Sequence, residues 1–132
     1  MTTFSHRLAH IKTLDCFDIV DLHFEIQEAI KTAYRLRKDP KQLSLAIELC
    51  EESISISDIV IEAMKEKHRA RLKEYEDVVG MKPSNTKFFY PSHHGYSQLS
   101  IILRRSGDAD RGAVITKKIE SEGWGSCRYE DI

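Results

Sequence analysis

The sequence predicts an all-α protein built of antiparallel helical hairpins, with about five helices and one long central helix. Three observations predict it. Apolar residues recur at alternating three- and four-residue steps through residues 18–64, which draws a stripe along a helix of 3.6 residues per turn. The six glycines and three prolines gather at breaks between such runs, whereas an all-β chain needs frequent turns. The 132 residues suffice for one domain with its own core.

The elements follow in order. A short helix is expected over residues 4–14, with Phe4, Leu8 and Ile11 on one face and Thr2 or Thr3 as its cap; residues 1–17 otherwise form an N-terminal arm. The second helix is expected over residues 18–38. Ile19, Leu22, Ile26, Ala29, Ala33 and Leu36 make its stripe, and Val20, Phe24, Ile30 and Tyr34 widen it, so it should pack on two sides. Asp39-Pro40 then restarts the chain, because Asp is a good N-cap and Pro suits the first helical position. The third helix is expected to be long, carrying Ala46, Leu49, Ser53, Ile56, Val60 and Ala63 and ending just before Gly80. Residues 18–79 thus form a long helical hairpin. Beyond Met64 this helix turns charged, so that half projects into solvent or touches a partner.

Residues 80–91, with Pro83, Ser84, Asn85 and Phe88-Phe89-Tyr90, read as a loop docking its aromatics on the helices. Two shorter helices follow as a C-terminal hairpin over residues 92–124. The first ends at Ser106-Gly107, and the second begins at Asp108 and ends at Gly123. Both glycines suit left-handed C′ positions, and Trp124 can supply the apolar contact after the second cap. Residues 125–132 form a tail, of which Ser126 to Ile132 are expected to fray.

Composition bounds the function. Basic and acidic residues balance at a net charge of −1, so a general polyanion binder is not indicated and any nucleic-acid contact needs a local patch. No apolar run approaches the about 18 residues of a membrane span, and no signal-peptide run follows the first residues. The three cysteines, Cys16, Cys50 and Cys127, are odd in number and form no CxxC, which reads as reduced thiols and a cytoplasmic location.

Two segments align without gaps: Ala46 to Ile54 with Gly112 to Glu120, matching small residues at Ala46 and Gly112 and aliphatic ones at Leu49 and Ile115. In the last hairpin, Tyr96, Leu99, Ser100 and Leu103 are followed by Gly112, Thr116 and Ile119. This stretch resembles a tetratricopeptide-type hairpin, with large, large, small and large positions on one helix and a small position opening the pattern on the next. Thr116 replaces the family's usual bulky residue, Ile119 its usual small one, and Gly-Trp stands where the family has proline. The second and third helices resemble a more degenerate hairpin of that kind. The resemblance implies a helical scaffold presenting a groove, with Ser100 and Gly112 allowing close helix approach. Stable solenoids usually need at least about three repeats, so two hairpins imply a compact bundle or a self-associating chain.

Candidate chemistry is sparse. Adjacent His93 and His94 diverge by about 100° on a helix and have no HExxH or neighbouring cysteine or acid, so they are expected to cap a helix or pack under the loop, with no metal and no cofactor. Cys50 sits within an apolar stripe, where a thiol is inert. Glu51-Glu52 and Asp108-Asp110 read as solvated or capping carboxylates, and Gly123-Trp124-Gly125 lacks the strand and lysine of a phosphate loop. No catalytic machinery is expected.

Basic residues form two groups. Lys65, Lys67, Arg69, Arg71 and Lys73 spread around the charged helix among acids, as a solvated face does. Arg104, Arg105, Arg111, Lys117 and Lys118 lie on consecutive helices, and Arg111 is expected to cluster with one of the lysines and one of the arginines. Phe88, Phe89, Tyr90 and Tyr96 read as packing, while Trp124 is expected to be partly exposed and functional. The sequence therefore predicts a non-catalytic module that binds another protein, an acidic one, as an adaptor or as an inhibitor of the kind a phage or other mobile element carries. Tyr34, Arg37, Gln98 and Arg105 are the expected contacts, joined by Arg104, Arg111, Lys117, Lys118 and Trp124. The alternatives are a nucleic-acid-associated protein using the basic groups and a homo-oligomer; no membrane contact is expected.

Overall fold

A computed structural model describes residues 2–132, as six α-helices, a 3-10 turn and one two-stranded sheet. The N-terminal segment forms α1 (Ser5–Ala9) and then a 3-10 turn (Ile11–Thr13) in place of a single helix. Phe4 and Ile11 are buried, as their spacing predicts. Neither threonine caps the helix in the usual way. Thr2 Oγ1 instead accepts from the Phe4 amide (3.2 Å) and donates to the Glu52 carboxylate (2.7 Å), tying the arm to the third helix.

Short acidic side chains set the starts of the two main helices. The Asp15 carboxylate accepts from the Asp18 amide (2.8 Å) and opens α2 (Cys16–Arg35); Asp39 accepts from Lys41 (3.0 Å) and opens α3 (Pro40–Ser55), with Pro40 in the first turn. The periodicity predicts one helix from there to Gly80, but the chain breaks at Ile56 and continues as α4 (Ser57–Val79). Serines explain the break. Ser55 Oγ donates to the Glu52 carbonyl (2.7 Å) and Ser57 Oγ to the Ile54 carbonyl (2.8 Å), offering those carbonyls partners from side chains at the turn. Ile56 nevertheless stays buried on the apolar stripe, so the pattern of burial passes through the break unmarked.

After α4 comes β1 (Lys87–Phe89), then α5 (His94–Ser106) and α6 (Ala109–Ser121). The loop at Gly107 is the expected left-handed one (φ 79°), and Asp108 caps α6 by accepting from Arg111 (3.1 Å). The tail does not fray as expected. It forms β2 (Tyr129–Asp131), antiparallel to β1 with Phe88 opposite Glu130. Tyr90 holds this arrangement: its hydroxyl donates to the Glu130 carboxylate and its ring lies under Lys65 (4.8 Å).

Helix α2 packs against α3 on one side and α4 on the other, α3 packs on α5, and α5 on α6. The core runs through Leu22, Ile26, Ile30, Ala46, Leu49, Cys50, Val60, Leu99 and Ile115, all fully or almost fully buried. Ala46, a small residue of the α3 stripe, is fully buried. Gly112 does not meet the expectation of a tight helix contact: a Cβ placed there would meet nothing within 4 Å, so closeness of approach does not require glycine. No helix among the described residues is long and apolar enough to cross a membrane.

Candidate functional site

Helices α2 and α5 run in the same direction, since His23 pairs with His93 near one end and Tyr34 with Arg105 near the other. Their C-terminal ends therefore lie side by side. Helix C-termini carry partial negative charge, which favours cations in the last turn, and Arg35, Arg104 and Arg105 stand there. Tyr34 organises the group. Its hydroxyl accepts from Arg105 Nη1 (3.2 Å), and its ring carries the Arg37 guanidinium at 4.6 Å from the centroid. Arg37 also donates from Nη1 to the Tyr34 carbonyl (3.2 Å). Both arginines are exposed, and the ion pairs found among the described residues leave Arg37, Arg104 and Arg105 without a carboxylate.

Three of the residues expected to contact a partner are thus brought together: Tyr34, Arg37 and Arg105. The others go elsewhere. Arg111 reaches Glu51 of α3 (3.6 Å), while Lys118 reaches Asp58 of α4 (3.8 Å) and Glu122 (2.6 Å). They share a face, as their seven-residue spacing requires, but that face is turned to this chain's own acids and Arg105 does not join it. Arg104 and Lys117 are exposed, without an ion pair among the described residues. Gln98 is half-buried, and its Nε2 is enclosed with no hydrogen-bond partner in the structure.

Trp124 requires a correction. It is 4% exposed, not a surface residue. Its ring stands edge-on to His93 (4.7 Å between centroids) and near His23 (5.6 Å), and its Nε1 donates to Glu122 (3.1 Å). Gly123 (φ 91°) makes this possible, for a Cβ there would come within 2.7 Å of Tyr90.

The histidines build the polar part of the core. His93 caps α5: its Nδ1 accepts from the Tyr96 amide (3.0 Å). His23 and His93 are each 2% exposed with centroids 5.4 Å apart. His23 Nδ1, His93 Nε2, His94 Nε2 and Ser53 Oγ are enclosed without hydrogen-bond partners in the structure. Burial, aided by the neighbouring His94, lowers His23 to about 4; burial, then His23, lowers His93 to about 3. Both rings are neutral at pH 7. Among the described residues, no group of three or more His, Cys, Asp or Glu side chains is placed to hold a metal ion. Burial, then Glu51, pushes the Cys50 thiol up to about 12, so it stays protonated and is a poor nucleophile.

A second surface escaped the sequence reading. Phe24 and Phe89, both read as packing residues, are 47% and 48% exposed. They line a groove between α2, α4 and β1 together with Lys67 and Arg71. The available signal was their position: Phe17 and Phe24 lie seven residues apart, at the margin of the α2 stripe, where a two-sided helix meets solvent.

No family model, curated protein or solved structure matches the chain.

Proposed function

We propose that the chain is a non-catalytic protein-binding module, an adaptor or an inhibitor, that receives carboxylates of an acidic partner at Tyr34, Arg37 and Arg105. The observation that carries this reading is the pair of exposed guanidinium groups held by one tyrosine, with no carboxylate paired to them among the described residues. Pre-positioned arginines lose little freedom on pairing and recognise carboxylates bidentately. The likeness to tetratricopeptide hairpins points the same way, since such scaffolds bind partners through polar and aromatic side chains on helix faces. Nucleic acid is the weaker reading because the two basic groups are interrupted by ion pairs within this chain. Lys65 lies by Glu62 and Glu130, Arg111 by Glu51, and Lys118 by Asp58 and Glu122.

The test is comparative capture from native cells with wild-type protein and with Arg37→Glu plus Arg105→Glu, each checked for unchanged helicity. The reading predicts acidic proteins retained by the wild type and lost by the variant. Retention of nucleic acid that falls steeply with salt, or an identical set of proteins on both baits, would contradict it.

A further inference from the structure

The groove between α2, α4 and β1 combines aromatic and aliphatic lining with charges of one sign. Val20 and Phe24 come from α2, Met64 from α4, and Phe88, Phe89 and Pro91 from the β1 segment; together they enclose a cavity of about 260 Å³. His68 fixes one wall, because its Nε2 donates to the Thr86 carbonyl (2.9 Å) and its ring meets Phe88 (5.7 Å). Lys67 and Arg71 project from α4 along the rim, one turn apart, and no carboxylate lines the groove. Neither is in an ion pair among the described residues, and Lys67 Nζ stands 5.8 Å from the Phe17 ring. The apolar surface continues from Phe89 onto Tyr129, whose rings are 5.0 Å apart and both exposed.

Size and charge select the occupant. The cavity falls below the about 300–1,000 Å³ usual for small-molecule sites, and it opens along an apolar surface, which suits one large side chain of a longer segment. The rim asks for carboxylates on either side of that anchor. On the other side of Phe24 the acidic strip of Asp21, Glu25 and Glu28 is partly occupied by this chain's own cations, Glu25 pairing with Arg7 (2.7 Å) and Glu28 with Lys31 (3.2 Å).

We propose that this groove binds an acidic amphipathic segment of a partner protein, one large apolar side chain entering between Phe24 and Phe89 while flanking carboxylates pair with Lys67 and Arg71. The site shares only its class of partner with the Tyr34 arginine cluster. Phe24 and Tyr34 are ten residues apart on α2, about 15 Å along the axis, so the two sites can be lost separately.

The test is selection of a displayed library of short random peptides on the immobilised full chain. Enrichment of sequences with one large apolar residue flanked by Asp or Glu is expected. A synthetic peptide of the enriched sequence should bind at least about tenfold more weakly to Lys67→Glu plus Arg71→Glu and to Phe24→Asp, each checked for wild-type helicity. It should bind unchanged to Arg37→Glu plus Arg105→Glu. Loss only in that last variant would assign the binding to the other site and overturn the groove. So would enrichment of basic or neutral sequences, no enrichment, a concentration-dependent dimer abolished by Phe24→Asp, or displacement of the peptide by single-stranded oligonucleotide.

Discussion

Acid should loosen this fold well before its carboxylates protonate, because two histidines are buried neutral at the junction of α2, α5 and Trp124. In the unfolded chain each imidazole titrates near 6.5; in the fold burial holds His23 at about 4 and His93 at about 3. Against this only the Ser53 backbone raises His93, while His94 on α5 and Lys118 on α6 lower it further and His94 lowers His23, so no carboxylate offsets the burial. A lowered histidine pKa means that the unfolded state takes up the proton first. The stability these rings permit is fully present above about pH 6.5 and is lost as pH falls toward the folded values. By about pH 5 the linkage costs about 2 kcal/mol for each ring, about 4 kcal/mol together. Small domains are stable by about 5–15 kcal/mol, so the effect is a large fraction of the whole. Glu130, held below the ordinary carboxylate range first by the Tyr90 hydroxyl, loses its contribution only as pH falls through that lower range, which separates the two effects. Urea unfolding followed by circular dichroism from about pH 7.5 to pH 5 measures the slope. His23→Leu should remove about half of it, about 2 kcal/mol, while keeping the helix. His23 suits this test better than His93, which also caps α5. A wild-type stability that is flat over this interval, or a slope unchanged in His23→Leu, would refute the burial of neutral imidazoles.

Three further outcomes follow from packing and burial. Ala46→Glu places a carboxylate at a fully buried point of α3 and should cost on the order of 3–5 kcal/mol; a thermal melt close to wild type would place Ala46 at the surface. Gly107→Ala should cost about 1–2 kcal/mol from its left-handed backbone alone, whereas Gly123→Ala adds a contact of 2.7 Å with Tyr90 and should cost clearly more; equal losses in chemical denaturation would contradict the packing of Tyr90. Exposed Cys127 should react with a thiol reagent in the native state, while Cys50 reacts only on unfolding; simultaneous labelling would contradict the core assignment.

Local chemistry made much of the fold legible. The stripe on α2, the Asp39-Pro40 restart, Gly107 and Asp108 are decided within a few residues, and the structure places each where its chemistry asks. What escaped depends on distant partners or on hydroxyl groups. The apolar pattern runs unbroken through Ile56, so only Ser55 and Ser57 mark the division of α3 from α4. The tail has no periodicity of its own and becomes β2 because β1, about forty residues earlier, offers its edge. Trp124 follows a glycine at a helix end, a place equally suited to exposure or docking, and His23 and His93 decide for docking. The candidate site divides in the same way. Arg37 beside Tyr34 is local geometry, but Arg105 joins them only through the parallel course of α2 and α5. Arg111 and Lys118 are claimed by acids on α3 and α4 that spacing alone does not bring near.

The central claim is that exposed arginines at the Tyr34 corner recruit an acidic protein. The most direct measurement is the association rate of the captured partner against ionic strength, for wild type and for Arg37→Glu plus Arg105→Glu. Electrostatic steering predicts a wild-type rate that falls as salt rises, and a variant rate that is slower and nearly independent of salt. Identical rates and identical salt dependence in the two proteins would contradict the account.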